Sequence, residues 1–249
     1  MKLWAIADLH LGHAVDKPMD VFGERWENHV ERLEKGWRAT VGEDDLVLLG
    51  GDNSWASSLD EVVPDLQWID RLPGIKYMIR GNHDYWWTTL RKLTDVCEAH
   101  DLTTLHFLRN DAVALTGFHV CHARGWLLPT DDGFTVDDAK VYRRELIRLD
   151  LSIASLEALR KRDGIRPTIA LTHYPPISEA GAPSLASEKL VDASVDVCCF
   201  GHIHHRAPYY QSRPSVDGIR YVMVSSDQLG FRPYLVGENG QFQEESNDA

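Results

Sequence analysis

Along this chain, short apolar runs alternate with longer segments in which apolar residues recur at helical spacing. KLWAIA, DLVLLG, IKYMIRG, TLHFL, FHVCHA, PTIALTH, VDVCCFG, IRYVMVSS and YLVG are predicted strands, most of them too short to be helices. Trp26, Val30, Leu33 and Trp37 recur at 4-3-4 spacing, and Leu146, Leu149, Ile153, Leu156 and Leu159 at 3-4-3-3, so each set predicts a helix with one buried face. Around residues 58 to 72 the Ser58–Glu61 spacing suggests a capping box, but Pro64 would then fall inside the helix, so a start near Pro64 is predicted instead. Strand–helix alternation dominates the first hundred residues, whereas the region after about 165 reads mostly as strands and loops, which together imply a mixed α/β architecture. The polar segment from Arg124 to Lys140 carries Gly and Pro and is long for a connection, which makes it a candidate lid or substrate loop. No internal repeat is visible, and the tail GQFQEESNDA is expected to fray.

Composition narrows the class. A chain of 249 residues can bury a large core as one domain, expected here over 1–249. No run of about eighteen apolar residues is available to span a bilayer, so no membrane partner is expected. The N-terminal MKLWAIADLH meets Asp8 and His10 too early for a signal-peptide core, and a cytoplasmic location is expected. Cys97, Cys121, Cys198 and Cys199 form neither a CxxC pair nor a framework spacing and read as reduced core thiols. The formal charge of -12 disfavours long nucleic acid as a partner.

The candidate chemistry lies just after the apolar runs: Asp8 and His10 after KLWAIA, Asp52 after DLVLLGG, Asn82 and His83 after KYMIRG, His173 after TIALT, and His202 and His204 after CCFG. In sheets covered by helices, ligands gather beyond the carboxyl ends of strands, so residues distant in sequence can converge on one edge. Carboxylate with imidazole suits Mn, Fe or Zn, and a shared carboxylate can hold two such ions about 3.5 to 4 Å apart with an activated water between them. That water, as hydroxide, can attack phosphorus without a covalent protein nucleophile, and a His beside the metals can serve as general acid to the leaving oxygen. His83 fits that description.

DLH at 8–10, GDN at 51–53, GNHD at 81–84, TH at 172–173 and GHIH at 201–204 together resemble the motifs of the calcineurin-like metallophosphoesterase family, in the family's order and across most of the chain. The resemblance implies a four-layer α/β/β/α sandwich of two mixed β-sheets flanked by helices, with a site for two divalent or trivalent metal ions at one edge. It implies that Asp8, His10, Asp52 and His204 hold one metal and that Asp52, Asn82, His173 and His202 hold the other. The family's protein Ser/Thr phosphatases carry GDxVDRG at the second motif, where this chain has GDNSWAS. Protein phosphatase activity is therefore not expected, and His83 would need another orienting group, for which Asp84 is the candidate. The overall likeness is nearer to small bacterial phosphohydrolases with a GNHDYWW segment and an RGW loop.

Other residues carry weaker signals. His13, His122 and His205 lie near the motifs but read as hydrogen-bonded structural groups, and Trp86 and Trp87 as buried packing. Arg124 and Trp126 open the long loop and are candidate substrate contacts, with Asn82 beside them, since Arg can grip phosphate bidentately. A small phosphorylated substrate is expected, and the sequence leaves the oligomeric state open. A phosphomonoesterase and a phosphodiesterase share these motifs, and a pocket open on both sides of the metals would favour the diesterase. An inactive binding scaffold would require loss of a ligand or of the acid, and none is lost.

Overall fold

The computed structural model describes residues 1–243. The strands are β1 (Lys2–Ile6), β2 (Leu46–Leu49), β3 (Ile75–Met78), β4 (Leu105–Phe107), β5 (Ala112–Leu115), β6 (Phe118–Ala123), β7 (Thr168–Thr172), β8 (Val197–Phe200), β9 (Ser215–Val216), β10 (Ile219–Met223), β11 (Tyr234–Glu238) and β12 (Gln241–Phe242). The helices are α1 (His29–Arg38), α2 (Leu59–Asp70), α3 (Leu90–Ala99), α4 (Val136–Asp163), α5 (Leu185–Asp192) and α6 (Pro208–Gln211). Each of the nine apolar runs forms a strand. One six-stranded sheet has the order β12-β11-β1-β2-β3-β4, and a second has β5-β6-β7-β8-β10-β9. In each, the central strands are parallel and the outer hairpins antiparallel.

Alternation along the strands builds the layers, because successive side chains point to opposite faces. In β1, Leu3 and Ala5 face the interior between the sheets, while Trp4 and Ile6 pack outward with Leu33 and Trp37 of α1 and Leu66 and Ile69 of α2. In β8, Val197 and Cys199 point inward, while Cys198 and Phe200 meet Leu149 and Leu156 of α4 and Leu190 of α5. The result is a four-layer α/β/β/α sandwich. Cys198 and Cys199 thus face different layers, and all four cysteines are free and buried.

Two expectations are corrected. Helix α2 begins at Leu59, not near Pro64: Ser58 Oγ accepts from Glu61 N at 3.4 Å, and the Glu61 carboxylate accepts from Ser57 N at 2.8 Å. The burial of Val62, Leu66 and Ile69 outweighs the backbone hydrogen bond lost at Pro64. The long connection ends at residue 135, because a Thr135–Asp138 capping box starts α4 there and takes residues 136–140 into its first turns. Beyond residue 165 the chain is mostly strands and loops, as expected, with two short helices, α5 and α6, among them, and Ser184 caps α5. Of the predicted frayed tail, Gln241 and Phe242 pair with β11, and residues 244–249 lie outside the described residues.

Candidate metal centre

The loops leaving the carboxyl ends of β1, β2, β3, β7 and β8 run side by side. Asp8 N donates to Gly51 O at 2.9 Å, His10 N to Asp52 O at 3.0 Å, and Gly201 N to His173 O at 3.0 Å. Four of the expected ligands, Asp8, His10, Asp52 and His202, have positive φ, from 46° to 72°. For residues with a Cβ this is strained backbone, and such strain concentrates where function over-determines the geometry. Gly81 and Gly201 fit the same crowding: a Cβ on Gly81 would collide with Asp52, and one on Gly201 with Ala7 and the Asp8 carboxylate.

These loops bring most of the expected ligands to one spot. His10 Nε2 and His204 Nε2 face each other at 3.3 Å. His173 Nε2 lies 3.4 Å from Asp52 Oδ2 and 2.8 Å from Asn82 Oδ1. Ligand atoms of Asp8, His10 and His204 lie within 4.8 Å of one another, as do those of Asp8, Asp52 and His173. Asp8 Oδ1 is 3.8 Å from His204 and 3.9 Å from His173. Asp8 as well as Asp52 therefore faces both halves of the cluster, a place the resemblance gave to Asp52 alone. His202 stands at the rim, its ring 3.9 Å from that of Tyr174 and 5.2 Å from that of His173, and its backbone N–H donates to Asp8 Oδ2 at 2.9 Å.

The electrostatics match a cation site. Asp8 Oδ1 is buried with no hydrogen-bond partner, a costly state for a carboxylate unless positive charge stands beside it. Burial raises the Asp8 pKa despite the nearby His204 and His173. At Asp52 burial works in the same direction, but His173 overrides it and holds the carboxyl well below its usual range. His173 answers: burial opposes its charge, yet Asp52 and Asp8 lift it to about 9. Burial depresses His10, and burial together with His173 pushes His202 down to about 3. Two buried carboxylates thus draw positive charge into the cluster, while neutral imidazoles stay available as donors. Carboxylate, imidazole and one amide oxygen form a donor set suited to Mn, Fe or Zn.

His83 lies at the mouth of the cluster, with Nε2 4.0 Å from Asp52 Oδ2 and its ring 4.5 Å from that of Trp55. Its backbone N–H donates to Asp52 Oδ1 at 2.7 Å. The expectation that Asp84 orients His83 is corrected. The Asp84 carboxylate is buried and accepts from Gly81 N at 2.8 Å, Asn53 N at 2.9 Å, Asn53 Nδ2 at 3.1 Å, Ser54 N at 3.2 Å and Trp86 Nε1 at 3.1 Å. It locks together the loops that carry Asp52 and Asn82, and burial with the charge of Asp52 lifts it to about 6. Arg124 is engaged as well: Nη2 donates to Glu145 at 2.9 Å, and the guanidinium lies over the Trp126 ring at 4.6 Å. Trp126 Nε1 donates to Asp138 at 3.0 Å, and its ring packs 5.1 Å from that of Tyr174.

His13, His122 and His205 pair with Asp65, Asp111 and Glu179, which agrees with structural roles. Trp86 is buried beside Trp87, as expected. Sequence reading missed Asp227. Its buried carboxylate accepts from His204 Nδ1 at 3.0 Å and from Arg25 Nη1 at 2.9 Å, which fixes which His204 nitrogen faces the cluster. The signal was present, since Asp227 follows the apolar run IRYVMVSS as the expected ligands follow theirs.

The calcineurin-like phosphoesterase profile matches residues 1–206, and the chain belongs to that family. Among individual relatives, Gene 66 protein of Mycobacterium phage L5 is 38% identical over 81 residues, which take in 32% of this chain and 39% of the relative. The phosphopantetheinyl hydrolase PptH of Mycobacterium tuberculosis is similar in structure, with a TM-score of 0.52 at 15% identity over 90% of this chain and 88% of that one. A protein of unknown function from Aquifex aeolicus, AQ665, gives 0.50 at 14% identity over 94% and 95%. At these identities the structural likeness speaks to the fold.

Proposed function

We propose that this protein is a metal-dependent phosphoesterase that hydrolyses phosphate esters of small molecules. The observation that carries the reading is the convergence of Asp8, His10, Asp52, Asn82, His173 and His204 from both sheets around Asp8 Oδ1, which has no hydrogen-bond partner, with His202 at the rim. Asp8, His10 and His204 would hold one cation and Asp52, Asn82 and His173 the other, with Asp8 and Asp52 each facing both and His202 beside the second. When bound, such a pair neutralises charge on phosphoryl oxygens and acidifies a water molecule.

The chain's own residues do the rest. Asp84 and the Asp52–His83 backbone bond fix the carboxylate. Asp227 holds His204 by Nδ1, so that Nε2 faces the cluster. His83, half-exposed beside Asp52, is placed to give a proton to the departing oxygen. Trp126 and Tyr174 line a groove of about 620 Å³ that reaches His202, where a substrate body can lie.

A second groove of about 280 Å³, lined by His10, Lys17 and His29, opens on the other flank. Space on both sides of the cluster favours a phosphodiester, with one ester group in each groove. Hydrolysis of p-nitrophenyl phosphate and of bis(p-nitrophenyl) phosphate with Mn, with and without chelator, tests both readings. Chelator-sensitive turnover is expected, faster on the diester. Metal-loaded protein inert on both esters ends the phosphoesterase reading, and preference for the monoester ends the diester one.

A further inference from the structure

The same edge of the molecule carries a smaller cavity of about 80 Å³, several times what one water molecule needs. Its lining includes Arg80, Arg109, Arg124 and Arg148. Three carboxylates stand near these four guanidinium groups: Glu145 in the lining, Asp84 facing Arg80, and Asp111 beside His122. Glu145 Oε1 is shared by Arg124 Nη2 at 2.9 Å and Arg148 Nη1 at 2.6 Å. Asp111 Oδ1 is bound to His122 Nε2 at 2.8 Å and to Arg109 N at 3.0 Å. Four guanidinium groups against three carboxylates still leave a net positive charge at the cavity, in a chain whose formal charge is -12.

Two of the donors are also unfilled. Arg80 Nε and Arg124 Nε are buried without a hydrogen-bond partner, and each guanidinium presents five N–H groups in a fixed fork. Like charges so confined repel one another unless an anion lies between them. Several forks around one compact space suit a tetrahedral oxyanion better than a single planar carboxylate, which one fork can satisfy. The cavity also adjoins the metal-site loops: Arg80 is two residues before Asn82, and the Arg124 carbonyl accepts from His173 N at 3.1 Å.

The geometry points to an oxyanion pocket formed by Arg80, Arg109, Arg124 and Arg148 that binds a tetrahedral dianion of the phosphate or sulfate class, distinct from the metal centre. Its occupant is either a second phosphoryl group on the substrate or a free anion. The pocket does not depend on the phosphoesterase reading, and the two can fail separately.

Calorimetric titration of inorganic sulfate into metal-loaded protein, repeated after chelation, tests it. One sulfate per chain is expected in both states, weakened at least about tenfold in Arg109→Ala/Arg148→Ala and partly restored in Arg109→Lys/Arg148→Lys. Absence of binding, binding that disappears with the metal, or equal affinity in the alanine variant would each overturn the proposal, with circular dichroism showing that the variants fold. p-Nitrophenyl phosphate turnover on the same samples reports on the metal centre: inert protein that still binds sulfate leaves the pocket standing. For the source, sulfate that competes with adenosine 3′,5′-bisphosphate binding but not with adenosine 5′-monophosphate binding marks a substrate subsite. Sulfate that competes with neither marks a free-anion site.

Discussion

The two sheets contribute different parts of the candidate metal centre and hold them in different ways. From the first come both carboxylates, with His10, Asn82 and His83, and its ligands are fixed mainly through backbone: Asp52 Oδ1 accepts from His83 N, and the loop beneath is laced to Asp84. The second supplies His173, His202 and His204, whose rings are set by a Gly50 carbonyl at 3.0 Å, by stacking on Tyr174 and by the Asp227 carboxylate. Backbone-anchored carboxylates are difficult to move without disturbing the fold. Imidazoles set by groups on neighbouring loops are easier to retune, so the first sheet sets where charge sits and the second how tightly it is gripped.

The largest effect should come from Asp52→Asn on the first sheet. Phosphoesterase turnover is expected to fall by about 10³-fold or more together with metal content, read by assay and elemental analysis. Full metal content in that variant would break the division between the sheets. His83→Gln should lower turnover about 10²-fold or more while metal content stays at the wild-type level, since the ring is placed beside the cluster and not within it. Asp227→Asn should leave the fold intact and weaken metal binding about 10- to 100-fold, measured by competition with a chelator. An unchanged affinity would mean that His204 needs no orienting partner.

A smaller test concerns the rigidity of the first sheet. Lys76 of β3 is buried and donates from Nζ to Asp70 O at 3.2 Å, to Leu72 O and to Thr104 Oγ1 at 3.1 Å, so it caps the end of α2. Burial, only partly offset by Asp70, lowers its pKa to about 8. The folded value lies below the unfolded one, so the penalty for burying the charge is complete below pH 8 and fades as pH rises toward 10.5. Across that window wild type should gain stability relative to Lys76→Met, on the order of 1 kcal/mol, in urea melts at stepped pH. A difference that is flat with pH would show that the ammonium is not desolvated.

Short continuous apolar runs marked the strands in advance, because a strand between two apolar layers must be apolar on both faces, and VDVCCF and PTIALT are. Helix boundaries were less legible: α2 starts with Ser58 and tolerates Pro64, a balance of capping and burial that only the packed core decides. Asp84 shows the same limit at the site. Its position after GNH suggested a partner for His83, yet its carboxylate turns into the loop, where five donors await it.

By itself, the sequence determined which residue types follow each strand, and hence which carboxylates and imidazoles stand at the strand ends, because strand formation and turn chemistry are local properties of the chain. Only the tertiary structure decided that Asp8 faces both halves of the cluster, that Asp227 steers His204 and that four arginines surround one small cavity. Those relations join residues far apart in the chain, and their distances are set by how two sheets stack, which no local pattern encodes.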